Sequence, residues 1–208
     1  GNYTTDKNGK ITINNLRQGK VILTEISTKN EYILDTTPIN INLEYNQIKT
    51  VELTNKHKKG NLKIYKVDAD NNKITLGGVK FGLYSYEFDK IIDYYTTDSN
   101  GEINIKDLRI GNWALIEEKT NQWYNLLEEQ VDIKVEWNKT TNITIENELK
   151  KSQVKVIKVD KENHEIKLEG VEFQVLDEKG KVLETIKTNK DGEAVTSFYP
   201  VRDYPNLY

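Results

Sequence analysis

The stretch that decides the fold is residues 62–68, LKIYKVD, in which apolar and polar side chains alternate. A period of two residues is typical of a strand that has one face in the core and the other in water. Leu62, Ile64 and Lys66 share one face of this strand, so a lysine is predicted to point inward with two aliphatic side chains. The pattern returns 92 residues later as VKVIKVD, residues 154–160, which indicates an internal repeat.

The same offset of 92 residues relates residues 1–59 to residues 93–151. A gapless shift aligns YTTD at residues 3–6 with YTTD at 95–98. A period of this length indicates a tandem domain, because solenoid units have only about 20 to 50 residues. We therefore predict three segments, called the first, middle and third repeats below. They are the C-terminal part of a repeat at residues 1–58, a complete repeat at 59–150 and the N-terminal part of a repeat at 151–208.

Short alternating segments and turn sequences fill each repeat. The tetrapeptides at residues 6–9, 98–101 and 189–192 end in Gly after Asn or Asp, and such turns need a positive φ. No segment has the apolar stripe of an amphipathic helix. We therefore predict an all-β fold of tandem antiparallel β-sandwich repeats, Ig-like in architecture, with about 90 residues each.

The composition excludes several classes of function. The 30 Lys and Arg against 33 Asp and Glu give a net charge of −3, which leaves no basic excess for a nucleic-acid partner. No apolar run approaches the roughly 18 residues of a membrane span, and no signal segment opens the chain. Cys is absent, which excludes disulfides and thiolate metal sites. A small extracellular domain without disulfides needs another kind of crosslink to be stable, because it buries little apolar surface.

Three polar residues of the middle repeat fall on inward faces of predicted strands. They are Lys66 on the first strand, Glu117 on a middle strand and Asn147 on the last. For any one of them, the simplest interpretation is a strand end that emerges into water, because buried charge is costly unless it is paired. Three in one repeat favour a buried cluster, in which desolvation stabilises the neutral amine and the protonated acid. Glu118 has the outward parity, so we assign the role to Glu117.

The motifs around these residues resemble the CnaB-type domains of Gram-positive pilins and adhesins, which have a prealbumin-like fold. The matching stretches are IYKVD, LGGVKF, GNWALIE and IEN, at residues 64–68, 76–81, 111–117 and 145–147. Trp113 stands where the family prefers tyrosine. The resemblance implies an isopeptide bond, formed when neutral Lys66 attacks the side-chain carbonyl carbon of Asn147. Protonated Glu117 would polarise that carbonyl and shuttle the protons as ammonia leaves.

The resemblance implies neither a cofactor nor turnover, so we expect no enzyme. A metal is not expected either. DADNN at residues 68–72 is similar to the start of a calcium loop, but Lys73 and Val79 stand where Gly and Glu are required.

The partial repeats contain unpaired counterparts of the site, which leave two hypotheses open. Glu25 and Asn55 are the acid and amide equivalents in the first repeat, and Lys158 is the lysine equivalent in the third. The ends of two chains would link Lys158 to Asn55 and build a covalent fibre if they complement each other. Alternatively, the chain is a window of a longer array. The lengths favour a window, because the two partial repeats together exceed one repeat.

We expect a structural stalk, pilus or fibre segment that is displayed outside a Gram-positive cell, attached to its wall or part of a fibre. Its partners would be neighbouring repeats of the same chain and other copies in a fibre. The alternative is an adhesin module that binds a host protein or glycan. An aromatic run that departs from the repeat would serve as its surface, unless the run packs on its own sandwich. This run is Phe198, Tyr199, Tyr204 and Tyr208.

Overall fold

The structure is a computed structural model that describes residues 1–204, in which all regular elements are strands. No helix in this range is long and apolar enough to cross a membrane. The chain divides into two compact units, Gly1–Lys59 and Gly60–Tyr208. The second unit contains the middle and third repeats. The prediction of an all-β fold is confirmed.

The first unit contains one antiparallel hairpin, formed by β1 (Gly19–Leu23) and β2 (Ile39–Leu43). The alternation of Val51, Leu53 and Asn55, which matches that of Ile143, Ile145 and Asn147, predicts a further strand here with Val51 and Leu53 in the core. That prediction was wrong, because residues 48–55 form no strand and Leu53 is 55% exposed. Within residues 1–59 no strand pairs with this segment, so its apolar side chains are left uncovered.

The middle repeat is a sandwich of two sheets. One sheet has the order β6-β3-β9 and the other the order β5-β4-β7-β8. Buried side chains from both sheets fill the space between them, including Leu62, Ile64, Phe81, Leu83 and Leu115. The strands are β3 (Lys59–Asp68), β4 (Lys80–Ser85), β5 (Lys90–Thr96), β6 (Glu102–Arg109), β7 (Gly111–Lys119), β8 (Val131–Val135) and β9 (Thr140–Asn147).

The first and last strands of the middle repeat are neighbours and run parallel, which corrects the expectation of purely antiparallel pairing. Strand β3 pairs with β9 in a register that sets Lys66 opposite Ile145 and Asp68 opposite Asn147. A parallel pair needs a long crossover connection, and here the opposite sheet lies within that connection. The chain therefore enters the middle repeat at one end of this strand pair and leaves it at the other end.

The third repeat has three short antiparallel pairs, which are β10 with β15, β11 with β14 and β12 with β13. Val175, Ile186 and Ala194 form its small core, and Tyr199 packs against this core and against Tyr204. Phe198 is 61% exposed, and Tyr208 lies outside the described residues. The strands are β10 (Lys151–Ser152), β11 (Lys155–Ile157), β12 (Glu172–Leu176), β13 (Val182–Lys187), β14 (Glu193–Val195) and β15 (Tyr199–Pro200).

The predicted tight turns are confirmed, and one of them holds the lysine strand. Gly9, Gly101 and Gly192 all have a positive φ, between 70° and 73°. The carbonyl of Gly101 accepts a hydrogen bond of 2.8 Å from the backbone N–H of Lys66. A Cβ on Gly101 would lie 2.5 Å from the carbonyl oxygen of Lys66, so only glycine allows this approach. The turn before β6 therefore fixes the backbone from which Lys66 projects.

Candidate crosslinking site

The structure brings Lys66, Glu117 and Asn147 together in the core of the middle repeat. Lys66 projects from β3 and Asn147 from β9 of the same sheet, while Glu117 projects from β7 of the opposite sheet. Their exposed fractions are 0%, 3% and 3%. The inward direction read from the alternation of the strands is therefore confirmed for all three side chains.

The three side chains contact one another directly. The Nζ of Lys66 donates a hydrogen bond to Oδ1 of Asn147 and lies 3.5 Å from Oε2 of Glu117. The Nδ2 of Asn147 donates to Oε1 of Glu117 over 2.6 Å. The register of β3 and β9 explains this contact, because Lys66 and Asn147 are two register positions apart on one face of a parallel pair.

Burial lowers the pKa of Lys66 from its ordinary value to about 8, although the nearby carboxylate of Glu117 acts in the opposite direction. The cause is desolvation, which penalises the charged ammonium in an apolar interior. A lower pKa increases the fraction of neutral amine, and the neutral amine is the nucleophile in acyl transfer. The site therefore holds a primary amine, an amide and a carboxyl group that are shielded from water.

The two oxygens of Glu117 face the two nitrogen atoms of the site. Its Oε1 accepts from the amide nitrogen of Asn147, and its Oε2 faces the amine of Lys66. Oε2 has no hydrogen-bond partner within the described residues. The sequence led us to expect that Glu117 polarises the carbonyl of Asn147, but Lys66 is the group that contacts this carbonyl oxygen. The carboxyl group is instead placed to move a proton from one nitrogen to the other.

Thr120 is a fourth member of the site, which the sequence interpretation missed. Its Oγ1 accepts a hydrogen bond of 2.8 Å from Nδ2 of Asn147, so both amide hydrogens have a partner. The repeat contains a signal that would have found it. Thr28 follows Glu25 at the same spacing, three residues on, as Thr120 follows Glu117.

Neighbouring side chains support this arrangement. Glu118 is exposed and pairs with Lys80 at 3.2 Å, which confirms its predicted outward direction. Trp113, which stands at the family's tyrosine position, is 4% exposed, and its indole N–H donates to the carbonyl of Arg109 at 3.0 Å. The indole thus satisfies its one donor while it fills the core.

Asp68 is buried near the site, but its hydrogen-bond partners lie outside the group of Lys66, Glu117, Asn147 and Thr120. Its carboxylate accepts from the hydroxyl of Tyr124 at 2.7 Å and from the backbone N–H groups of Asp70 and Asn71. Burial, followed by the hydrogen bond to Asp68, raises the pKa of Tyr124 to about 12. Residues 1–204 contain no group of three or more His, Cys, Asp or Glu side chains that could hold a metal ion.

The partial repeats contain the predicted counterparts, and the first repeat has an acid and amide already in contact. The Nδ2 of Asn55 donates to Oε2 of Glu25 at 2.7 Å, and both side chains are half-buried. In the third repeat, Lys158 is half-buried, and its backbone N–H donates to Gly192 at 2.7 Å as Lys66 does to Gly101.

A family model described as "SpaA: Prealbumin-like fold domain" matches residues 1–57, 60–149 and 152–205. The chain belongs to the SpaA family of prealbumin-like fold domains. The resemblance noted in the sequence is thereby confirmed, and Lys66, Glu117 and Asn147 all lie in the second of the three SpaA matches. None of the curated proteins matches the chain.

Solved structures that are similar to this chain include proteins from Bacillus and Streptococcus. The Bacillus anthracis TIE protein is 26% identical with a TM-score of 0.62, and the match covers 94% of this chain and 37% of that one. This SpaA chain thus spans little more than a third of that protein's length. The minor pilin GBS52 of Streptococcus agalactiae is 25% identical with a TM-score of 0.39, over 70% of this chain and 66% of that one. BcpA, the major pilin subunit of Bacillus cereus, is 25% identical with a TM-score of 0.40, over 45% and 31%.

Proposed function

We propose that Lys66 and Asn147 form an intramolecular isopeptide bond, and that Glu117 catalyses its formation. The observation that carries the proposal is the buried contact of all three groups, in which one carboxyl group touches the amide nitrogen at 2.6 Å and faces the amine at 3.5 Å. An amine, an amide and a proton shuttle are the groups that this reaction needs, and no cofactor takes part.

The proposed reaction transfers the acyl group of Asn147 from one nitrogen to another. The neutral amine of Lys66 attacks Cγ of Asn147 through Nζ, and Nζ passes one of its two protons to Glu117. The Nζ–Cγ bond forms and the Cγ–Nδ2 bond breaks, while Glu117 delivers a proton to Nδ2. Nδ2 leaves as ammonia, and Glu117 ends in its starting state. Thr120 orients the amide by accepting from Nδ2. The reaction takes place once per domain.

Folding supplies the driving geometry for this step. When two reacting groups are well oriented within one molecule, the activation barrier is lower by about 7 to 11 kcal/mol than for the same groups free in solution. The bond closes a loop of 81 residues. By analogy with disulfides, a loop of that length stabilises the folded state by about 4 to 5 kcal/mol. The crosslink thus provides covalent stabilisation, which a chain without Cys cannot obtain from disulfides.

We further propose that the chain is a stalk, pilus or fibre segment of a protein on a Gram-positive cell surface, attached to the wall or assembled into a fibre. The parallel pairing of β3 and β9 supports a load-bearing role. Tension that enters through β3 and leaves through β9 would pass directly across the Lys66–Asn147 bond and bypass most of the sandwich. Adhesion to a host protein or glycan stays a prediction, for which Phe198 is the most exposed of the aromatic residues of the run that the structure describes.

Peptide mapping tests the bond and its position. The proposal predicts a branched peptide after proteolysis, in which the segment around Lys66 is joined to the segment around Asn147 with the loss of one ammonia. The matched control is Lys63, which lies on the same strand and pairs with Glu102 at 3.0 Å. The side chain of Lys63 should carry no branch. Recovery of both segments only as separate, unmodified peptides would contradict the proposal.

A further inference from the structure

Asp68 carries a buried negative charge that the crosslinking reaction does not use. Its carboxylate is 1% exposed, and the hydroxyl of Tyr124, which is 3% exposed, donates to it. A buried charge is costly unless it has both hydrogen bonds and a counter-charge. The hydrogen bonds come from the middle repeat itself. A counter-charge comes from a residue of the third repeat.

That residue is Arg202. Its Nη1 donates to the hydroxyl oxygen of Tyr124 at 3.1 Å, so a chain of hydrogen bonds runs from Arg202 through Tyr124 to Asp68. Nε and Nη2 of the same guanidinium donate to the two carboxylate oxygens of Asp203, at 2.7 and 3.1 Å. This bidentate contact fixes the plane of the guanidinium, which leaves Nη1 aimed at Tyr124.

The segment that joins the two repeats lies between these groups. The backbone N–H and Nζ of Lys150 donate to the carbonyls of Trp123 and Gln122, at 2.8 and 2.9 Å. On its other side, the carbonyl of Lys150 accepts from the N–H of Val201 at 2.9 Å. Strand β10 then continues the contact by pairing with β15. The joint is therefore bonded to a loop of the middle repeat and to residues 199–201 of the third.

The arginine is not a feature of the repeat itself. Counted from the equivalent turn glycines Gly101 and Gly192, the position that corresponds to Arg202 is Gly111, and the sequence around Arg202 departs from the repeat. The departure coincides with the segment that reaches Tyr124. Tyr199 of this segment packs against the core of its own repeat, whereas Arg202 is explained by its contact with the neighbouring repeat.

We propose that residues 199–203 form a clasp that locks the third repeat onto the middle repeat, with Arg202 as the counter-charge of Asp68 through Tyr124. The clasp makes the connection between the middle and third repeats rigid. Its partner is the exit end of the neighbouring repeat, where Asp68, Tyr124 and the start of the joint meet. The inference does not depend on the isopeptide bond, because none of its contacts involves Lys66, Glu117 or Asn147.

Distance measurements between spin labels test the clasp. Since the chain has no Cys, labels are introduced cleanly by Lys106→Cys in the middle repeat and Lys179→Cys in the third, both at exposed positions. The full chain should give a narrow distance distribution. Arg202→Gln and Tyr124→Phe should each broaden it, and the double variant should broaden it no further than the stronger single variant. Lys190→Gln, which removes an exposed charge of the same repeat, is the control and should change nothing.

Thermal unfolding of the same variants gives a second readout. Loss of a charge-assisted hydrogen bond at the joint should lower the unfolding temperature by about 5 °C for Arg202→Gln, and by much less for Lys190→Gln. A distance distribution in Arg202→Gln that is as narrow as that of the parent chain would overturn the clasp. A broad distribution in the parent chain would overturn it as well.

Discussion

The first and middle repeats contain the same acid–amide pair in two different environments. Asn147 donates to Glu117 at 2.6 Å and Asn55 donates to Glu25 at 2.7 Å. The middle pair is buried, while the first pair is half-buried beside exposed residues such as Leu53. The acid–amide contact therefore forms without the lysine strand. Strand β3 adds the amine and covers the site, and these two contributions make the middle site reactive in our proposal.

The largest effect is expected from Glu117→Ala, which removes the acid from the middle site. The fold should persist, but the bond should not form, so Lys66 and Asn147 stay buried and unlinked. The loss of the crosslink, about 4 to 5 kcal/mol, adds to roughly 1 to 3 kcal/mol for unsatisfied buried groups. Denaturant unfolding and limited proteolysis measure this loss. Glu118→Ala, at the exposed neighbour, is the control and should still release ammonia.

A smaller effect is expected on the pH dependence of stability in Asn147→Ala, which leaves Lys66 without its amide partner. The pKa of Lys66 is about 8 in the folded chain and 10.5 as an ordinary lysine, because burial disfavours the ammonium. The unfolded chain therefore binds the proton more tightly than the folded chain. Burial of the ammonium thus lowers the free energy of unfolding fully below pH 8, and this loss of stability is relieved as the pH rises towards 10.5. The urea midpoint of Asn147→Ala should rise across this window relative to that of the crosslinked parent. A midpoint that falls in parallel with that of the parent would argue against a buried free amine.

Thr120→Val should slow crosslinking without preventing it. The substitution removes one acceptor of the amide hydrogens, and a hydrogen bond worth about 1 kcal/mol corresponds to a rate roughly five times lower. Ammonia loss, followed by intact mass during cell-free synthesis, gives the rate. Thr28→Val makes the same change in the first repeat and should leave the rate untouched. Equal rates for both variants would remove Thr120 from the mechanism.

The smallest effect is expected between chains. If the window hypothesis holds, Lys158 of one chain does not reach Asn55 of another, and a boiled sample gives a single band at the monomer position on a denaturing gel. A ladder of bands would favour covalent complementation between the partial repeats, and Lys158→Met would then abolish it.

The sequence predicted the inward residues of the middle site because strand parity depends only on local alternation. Lys66, Glu117 and Asn147 could be assigned in this way, and Glu118 could be excluded. The parallel pairing of β3 with β9 could not be predicted, since parity gives the face of a strand and not its neighbour. Asn55 shows the same limit. The pattern around it matches that of Asn147, but a strand forms only where another strand pairs with it.

Residues that act through hydrogen bonds from loops were also missed. Thr120 lies just beyond β7, where parity no longer predicts direction, and only its structural contact with Asn147 reveals its role. Arg202 reaches the middle repeat from a segment that breaks the repeat, so the alignment that located the other residues gave no position for it to match.

Intact-mass measurement of the full chain tests the central claim most directly. If Lys66 and Asn147 are joined, the measured mass will be lower than the sequence mass by about 17 Da, which is one ammonia lost per bond. Glu117→Ala, measured in the same way, will show the full sequence mass of the variant. A parent chain with the unreduced sequence mass would contradict the account, because every group of the site would then be present and in contact without reacting.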